Sequence, residues 1–215
     1  MFGNDLTSNE IVARMLAFIL GVTIHEFAHA WSAYQLGDPT AQRMGRITLN
    51  PVAHFDPIGF LGMMMIAIGF PAFGWGKPVP VNPNLLRGHH RGMAITALAG
   101  PFSNVIIATS LAIPLRFGNV EPTGFMYTLI TQTIIINLFM AAFNLIPIPP
   151  LDGMKILTGF LPNFWYQFIA PMERYGFIIL FAIIFVGGQY GRELFNAMYI
   201  PVFDLLRDSI AGSEL

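Results

Sequence analysis

The stretch IVARMLAFILGVTIHEFAHAWSAYQL, residues 11–36, decides the fold and carries a candidate metal site. It is long enough to cross a bilayer as a helix, since ~20 apolar residues suffice. His25 and His29 lie four residues apart, so on a helix both rings project from nearly one face and can bind one Zn²⁺. Glu26 falls beside that face, where it can activate a water molecule without binding the metal itself. The pattern is a signature of zinc hydrolases, here inside a segment too apolar for the surface of a soluble enzyme.

The composition extends the membrane assignment to the rest of the chain. Charged residues make up 11% of the 215 residues, against roughly 25% in a soluble domain. Hydrophobic residues reach 54%, and uncharged runs cover residues 57–76, 92–115, 122–151 and 175–191. Each run approaches or exceeds the ~20 residues needed to cross the hydrocarbon core. We therefore expect an integral, multi-pass membrane protein.

Charge and cysteine content exclude several other classes. The net charge of -1 provides no basic patch for nucleic acid, and the absence of cysteine excludes disulfides and thiolate zinc ligands. The N-terminus lacks the basic start and small-residue cleavage site of a signal peptide. We expect the first helix to be retained in the membrane.

The predicted fold is an all-α polytopic membrane protein, a single domain over residues 1–215. It has about five to six transmembrane or re-entrant helices and short membrane-associated β-strands. The predicted helices are residues 11–36, 92–115, 124–145, 173–186 and 193–206, and Ser8 or Asn9 is predicted to cap the first. Residues 46–50 alternate polar and apolar side chains as a strand would, and the proline-rich residues 79–81 suit an extended edge segment.

The segment 58–73 has two interpretations. It is either a second crossing or a re-entrant hairpin. The hairpin is favoured because it leaves the charges at Arg43, Arg46, Lys77, Arg87 and Arg91 on one side, predicted to be cytoplasmic.

A hydrolytic zinc site takes three protein ligands and leaves one position for water, so the two histidines need a partner. The candidates are His54, the pair His89-His90, and Asp152. Asp152 is the strongest, since an ionisable group beside a membrane segment is costly unless it is paired or bound to metal. The prolines before it break the helix, and irregular backbone is tolerated at membrane depth where it lines a wet cavity. The alternative is that Asp152 caps the next helix from the interface.

Three motifs in order resemble the site-2 protease family of intramembrane zinc metalloproteases. They are HEFAH at 25–29, LAGPFSN at 98–104 and NLIPIPPLDG at 144–153. Residues 50–57 and 74–83 resemble the compact bacterial and archaeal members that lack a PDZ domain. The resemblance covers residues 11–158. One departure is Met154, where many relatives have a second glycine.

The resemblance implies a zinc metalloendopeptidase that holds one Zn²⁺ per chain. The metal ligands would be His25, His29 and Asp152, with Glu26 as the catalytic base. Asn144 would match the asparagine thought to assist at the active site.

Two further residues are candidates for substrate binding or for supporting a ligand. The resemblance places a histidine in the loop that contains His54, although packing against Asp56 explains that residue equally well. Asn104 lies in an uncharged spanning helix, where an amide needs a partner. His89 and His90 are interpreted as an interfacial basic cluster.

The expected partners are the lipid bilayer and a transmembrane protein or peptide substrate, and the expected location is the cytoplasmic membrane of a prokaryote. A membrane metal transporter could use the same histidines and aspartate, but it would not need the non-ligand glutamate. A catalytically inactive scaffold would need none of the four residues.

Overall fold

The protein is described here by a computed structural model that covers residues 6–70, 72–117, 123–162 and 174–210, together with the isolated residues 165, 169 and 172. Its α-helices are α1 (Ser8–Gln35), α2 (Thr40–Arg43), α3 (Pro57–Ala67), α4 (His90–Phe117), α5 (Gly124–Asn144), α6 (Asp152–Phe160), α7 (Gly176–Phe181) and α8 (Gly188–Ile210). A 3₁₀ turn, Pro51–His54, precedes α3, and a wide π-type turn, Ala182–Val186, follows α7.

Helices α1, α4 and α5 pack against one another and form the centre of the molecule. All three are long and apolar enough to cross a membrane. Helix α1 contacts its neighbours through small residues, and Ala13, Ala17, Ala30 and Ala33 are fully buried. Small side chains allow helix backbones to approach closely, which is how helices pack in lipid.

The predicted number of crossings is too high for the described part of the chain. Three helices meet the requirements for a span, and α7 with α8 would make a fourth only if the pair, bent by 109°, counts as one. Helix α3 has 11 residues, which rise about 16 Å, roughly half the hydrocarbon thickness. Within residues 58–70 the structure therefore fits the hairpin interpretation better than a second crossing.

The predicted β-strands are also wrong, because no strand occurs among the described residues. Residues 46–50 form a turn, in which Arg46 N donates to Ala41 O and Thr48 O lies 2.8 Å from His54 Nε2. Residues 72–82, hereafter the strap, form neither helix nor strand. Pro78 and Pro80 lack an N–H, and the N–H groups of other strap residues bond to side chains and to the 3₁₀ turn instead of to a strand.

The first helix begins one residue earlier than its predicted caps imply. Its N-cap is Thr7, whose hydroxyl accepts from Glu10 N while the Glu10 carboxylate accepts from Thr7 N. This capping box satisfies two of the N–H groups that a helix N-terminus leaves unpaired. Ser8 and Asn9 are therefore inside the helix.

Helix α3 supports the strap. A Cβ on Gly59 would overlap the carbonyl oxygen of Trp75, and one on Gly62 would overlap that of Phe73. Only glycine permits this approach of strap backbone to helix. The strap is thereby held next to α1, where Gly76 packs on Val22.

Candidate metal centre

Three potential metal ligands from distant parts of the chain meet at one point. His25 Nε2 and His29 Nε2 are 3.0 Å apart, and Asp152 Oδ2 lies 3.2 Å and 3.1 Å from them. All three residues are buried. Zinc bonds of about 2.0–2.1 Å place neighbouring atoms of a tetrahedron about 3.3 Å apart. The observed triangle is close to that size.

The nitrogens on the opposite sides of the two rings face oxygen acceptors. His29 Nδ1 lies 2.7 Å from the carbonyl oxygen of Thr96, and His25 Nδ1 lies 2.6 Å from Asn104 Oδ1. A carbonyl oxygen only accepts, so each Nδ1 donates, and each neutral ring presents a lone pair at Nε2. With both rings in that neutral tautomer, two imidazole lone pairs and a carboxylate oxygen converge on one point. Such a donor set fits a cation, and two histidines with one carboxylate are ligands that suit zinc.

Asp152 reaches this point because the chain turns sharply after α5. The turns are closed by hydrogen bonds from Ile148 N to Ile146 O and from Leu151 N to Ile148 O. The side chains of Ile146, Ile148 and Leu151 are buried together with Leu180. Helix α6 then begins at Asp152, but its N-cap is Leu151 and no side chain caps it. The Asp152 carboxylate therefore faces the histidines instead of capping its own helix.

Gly100 on α4 makes room for the two imidazole rings. A Cβ at this position would overlap His29 Nε2 and would lie 2.7 Å from His25 Cε1. The backbone of α4 consequently forms one wall of the site. This is a physical reason for a glycine within LAGPFSN.

The Glu26 carboxylate lies beside the cluster and contacts the strap. Its Oε2 accepts a hydrogen bond of 3.0 Å from Val79 N. Glu26 lines a cavity of about 970 Å³ together with His25, His29 and Asp152. The cavity thus holds a carboxylate that is separate from the three converging atoms.

Comparison with known proteins agrees with this geometry. Several bacterial relatives carry the name "Putative zinc metalloprotease", and two of them are described here. One is YwhC of Bacillus subtilis (strain 168), 34% identical over 203 residues that cover 91% of this chain and 88% of YwhC. The other is Rip2 of Mycolicibacterium smegmatis, 27% identical over 184 residues that cover 85% of this chain and 70% of Rip2. An archaeal protein with the same description, MJ0611 of Methanocaldococcus jannaschii, is 36% identical over 85 residues, 40% of this chain and 43% of that protein.

The chain belongs to the site-2 protease family of zinc metalloproteases. No protein-family model matches it, and no solved structure is detectably similar to it. The expected family resemblance is confirmed by relatives that span nearly the whole chain.

In this site-2 protease, the buried Arg46 holds the strap through its backbone carbonyls. Arg46 is 5% exposed and donates to the carbonyl oxygens of Lys77 and Pro78, with Nη1 3.2 Å from the latter. Its Nη2 also lies 3.4 Å from His54 Nδ1. Burial lowers the pKa of the Arg46 guanidinium, and the Glu26 carboxylate opposes that shift. Arg46 therefore stays cationic at neutral pH.

The other predicted residues, Asn144, His54 and His89, have different surroundings. Asn144 lines the cavity, and its Nδ2 donates to Met140 O. The His54 ring lies against Thr48 O and Arg46, while Asp56 caps α3 by accepting from Ile58 N and Gly59 N. His54 is 2% exposed and supports the strap through its own carbonyl oxygen, which accepts from Lys77 N. His89 is exposed at the start of α4.

Three residues around the metal centre were not predicted from the sequence. Lys155 lines the cavity and places its ammonium 3.5 Å from Asp152 Oδ1. Asn137 is fully buried behind Asn104, and Thr96 supplies the carbonyl oxygen for His29. Asn137 had a signal, since it is an amide in an uncharged run, as Asn104 is. A backbone carbonyl such as that of Thr96 leaves no signal in sequence.

Proposed function

We propose that this chain is an intramembrane zinc metalloprotease that hydrolyses peptide bonds in or near transmembrane segments. One observation carries the proposal. The buried cluster of His25, His29 and Asp152 shares a cavity with Glu26, and the histidines lie on a helix apolar enough to span a membrane. Residues 1–215 would form one membrane-embedded domain.

One Zn²⁺ per chain would be held by His25, His29 and Asp152. When bound, it supplies a Lewis acid that polarises a substrate carbonyl and makes a water molecule more acidic. Glu26 takes the proton of the attacking water as general base and then returns it to the leaving amine. Its hydrogen bond from Val79 N holds one carboxylate oxygen in place and leaves the other for the proton.

Asn144 is proposed to assist at the oxyanion. One hydrogen of its amide is used by Met140 O, and the second is available to a carbonyl oxygen that becomes negatively charged during attack. A donor placed before the reaction costs no reorganisation when the charge develops. His54 would act on substrate indirectly, by supporting the strap, and Asn104 by orienting His25.

The substrate class follows from the surroundings of the cavity. Helices α1, α4 and α5 are long and apolar enough to span a membrane, and the cavity is lined largely by apolar side chains, among them Phe18, Val22, Phe139 and Met140. A transmembrane protein or peptide in the lipid bilayer fits such a lining. Val79 and Val81 of the strap also line the cavity, so an extended substrate backbone could align beside them. The bacterial and archaeal relatives support the cytoplasmic membrane of a prokaryote as the location.

A peptide bond in an intact helix is shielded by its neighbours, so the substrate must unwind locally. Helix-breaking residues near the cleavage point are expected to speed hydrolysis. Equal rates for a helix-stabilised and a helix-destabilised version of one peptide would contradict this part of the proposal.

The decisive experiment uses Glu26→Gln, which keeps the shape of the side chain but removes its basicity. Purified protein is incubated in detergent with a panel of transmembrane peptides, with and without chelator, and bound zinc is measured in parallel. We expect cleavage by the unmodified protein, loss of cleavage with chelator, and loss of cleavage with retained zinc in Glu26→Gln. Glu193→Gln, an exposed position on α8, is the matched control and should cleave normally. Full activity of Glu26→Gln would overturn the assigned base.

A membrane metal transporter remains the competing function, since it could use the same three ligands. Zinc flux into vesicles containing the protein separates the two. Flux that requires Asp152, without cleavage of any peptide, would favour the transporter.

A further inference from the structure

A second layer of buried amides lies behind His25, on the side away from the cavity. Asn104 on α4 and Asn137 on α5, hereafter the amide relay, are both 0% exposed. Asn104 Oδ1 is 2.6 Å from His25 Nδ1, and Asn104 Nδ2 donates to Asn137 Oδ1 at 2.7 Å. Asn137 Nδ2 donates in turn to the carbonyl oxygen of Thr133 at 2.8 Å. The relay connects the three central helices.

The direction of every hydrogen bond in the relay is fixed by backbone carbonyls. Thr133 O can only accept, so it selects the NH₂ of Asn137 and turns the Asn137 oxygen toward Asn104. The carbonyl oxygen of Gly21 lies 3.3 Å from Asn104 Nδ2 and imposes the same orientation on Asn104. Reversing either amide would set two acceptors against each other in a buried site and leave both without a hydrogen bond, which is unfavourable. Asn104 therefore presents its oxygen to His25.

The position of Asn137 depends on a glycine in α1. A Cβ on Gly21 would lie 3.0 Å from Asn137 Oδ1 and 3.3 Å from Asn137 Nδ2. The amide thus packs directly on the backbone of α1, one turn before His25.

We propose that Asn137 is a positioning residue that acts on the metal site through Asn104. By orienting Asn104, it makes His25 Nδ1 the protonated nitrogen and leaves His25 Nε2 with a free lone pair for the metal. This inference rests on the proposed zinc site and deepens it. His29 needs no such help, because a backbone carbonyl, that of Thr96, fixes its ring directly.

The relay makes a specific prediction about zinc affinity. Partners that orient a ligating histidine typically contribute 10–100-fold to metal affinity. Asn104→Ala and Asn137→Ala should each weaken zinc binding by about tenfold or more. Because both act through the same nitrogen, the double variant should bind zinc no more weakly than Asn104→Ala alone. If Asn104 and Asn137 acted independently, the losses of zinc affinity in the two single variants would multiply in the double variant.

Two further variants separate positioning from packing. Asn137→Asp keeps the size, and in its protonated form it can still accept from Asn104 and donate to Thr133 O. It should retain an affinity close to that of the unmodified protein. Thr131→Val is the control, since Thr131 is buried on the same helix but its hydroxyl bonds only to Tyr127 O and Thr128 O. It should leave zinc affinity unchanged.

The experiment measures zinc affinity by competition with a chromophoric chelator for each purified variant. ¹⁵N NMR of the imidazoles in the zinc-free protein is recorded alongside, with His25→Ala used to assign the His25 signals. The expected result is a protonated Nδ1 in the unmodified protein and in Asn137→Asp, and a mixture of tautomers in Asn137→Ala. An unchanged affinity in Asn137→Ala, multiplying losses in the double variant, or an unchanged tautomer would overturn the proposal.

These readouts do not depend on proteolysis. A protein that binds zinc through the relay but cleaves no peptide would contradict the proposed function and leave the relay intact. If the unmodified protein binds no zinc, the zinc site fails, and the NMR spectra of the zinc-free protein still decide whether Asn137 sets the tautomer.

Discussion

At the scale of single residues, the metal centre depends on a missing side chain at Gly100 as well as on the ligands themselves. The site needs two imidazoles side by side, and α4 can approach them only where it has no side chain, at Gly100. The strap needs a donor for two consecutive carbonyls, and Arg46 supplies it from a buried position. Both residues act without being candidates for the chemistry itself.

Gly100→Ala is expected to displace the imidazoles of His25 and His29, because the added methyl group overlaps His29 Nε2. Overpacking of this kind costs about 1–3 kcal/mol, and here the cost falls on the arrangement in which the two imidazoles converge. The measurement is zinc affinity together with helix content by circular dichroism. Leu98→Ala, on an exposed face of α4, is the control. Normal zinc affinity in Gly100→Ala would contradict the role given to this glycine.

Arg46→Lys is expected to loosen the strap, since an ammonium cannot reproduce the two-carbonyl geometry of a guanidinium. Hydrogen bonds from charged groups contribute about 1.5–3 kcal/mol. Amide hydrogen exchange of Lys77 and Val79 should therefore accelerate, as followed by mass spectrometry of peptides that cover the strap. Arg43→Lys, an exposed neighbour on α2, should have no effect. Equal amide exchange rates in Arg46→Lys and Arg43→Lys would contradict the role of Arg46 in holding the strap.

At the scale of elements, the helices are set by local signals and the strap is not. The ends of α5 are within one residue of the prediction, because Gly124 and the prolines after Asn144 limit it from both sides. Helix α3 and the strap depend on each other, since Gly59 and Gly62 leave room for the carbonyl oxygens of Trp75 and Phe73. The alternating pattern at 46–50 predicted a strand wrongly, because alternation does not show whether a second strand is present to pair with it.

The capping box of α1 gives a test at this scale. Thr7→Ala removes the side-chain hydrogen bonds to Glu10 and should destabilise the protein by about 1 kcal/mol. Ser8→Ala, one residue further inside the helix, should be nearly neutral. Thermal unfolding in detergent measures both, and zinc affinity should be unchanged in each. A larger loss from Ser8→Ala would return the cap to its predicted position.

At the scale of the whole molecule, the metal centre joins parts of the chain that are far apart in sequence. The histidines come from α1 and the carboxylate from the start of α6, which packs on α4. Binding of an ion therefore ties α1 to the start of α6. Without the ion, the buried carboxylate lies beside the two imidazoles, with the Lys155 ammonium 3.5 Å from its other oxygen.

Zinc is accordingly expected to raise the unfolding temperature. At a free zinc concentration 100 times the dissociation constant, the stabilisation should be about 2.7 kcal/mol. Asp152→Asn should lose most of this increment, because the carboxylate is the only anion in the cluster. Asp208→Asn, an exposed position on α8, should retain it. An unfolding temperature that does not respond to zinc or chelator in the unmodified protein would argue against a structural contribution of the ion.

The sequence by itself determined the parts of this protein that obey local rules. A spacing of four residues places His25 and His29 on one face because a helix turns 3.6 residues at a time, and long uncharged runs become spanning helices because lipid admits few other structures. The tertiary structure alone decided where Asp152 points, that residues 72–82 form a strap held by Arg46 instead of a paired strand, and that Asn137 stands behind Asn104. Those outcomes rest on hydrogen bonds between groups tens of residues apart, and such bonds exist only after α1, α4 and α5 have packed.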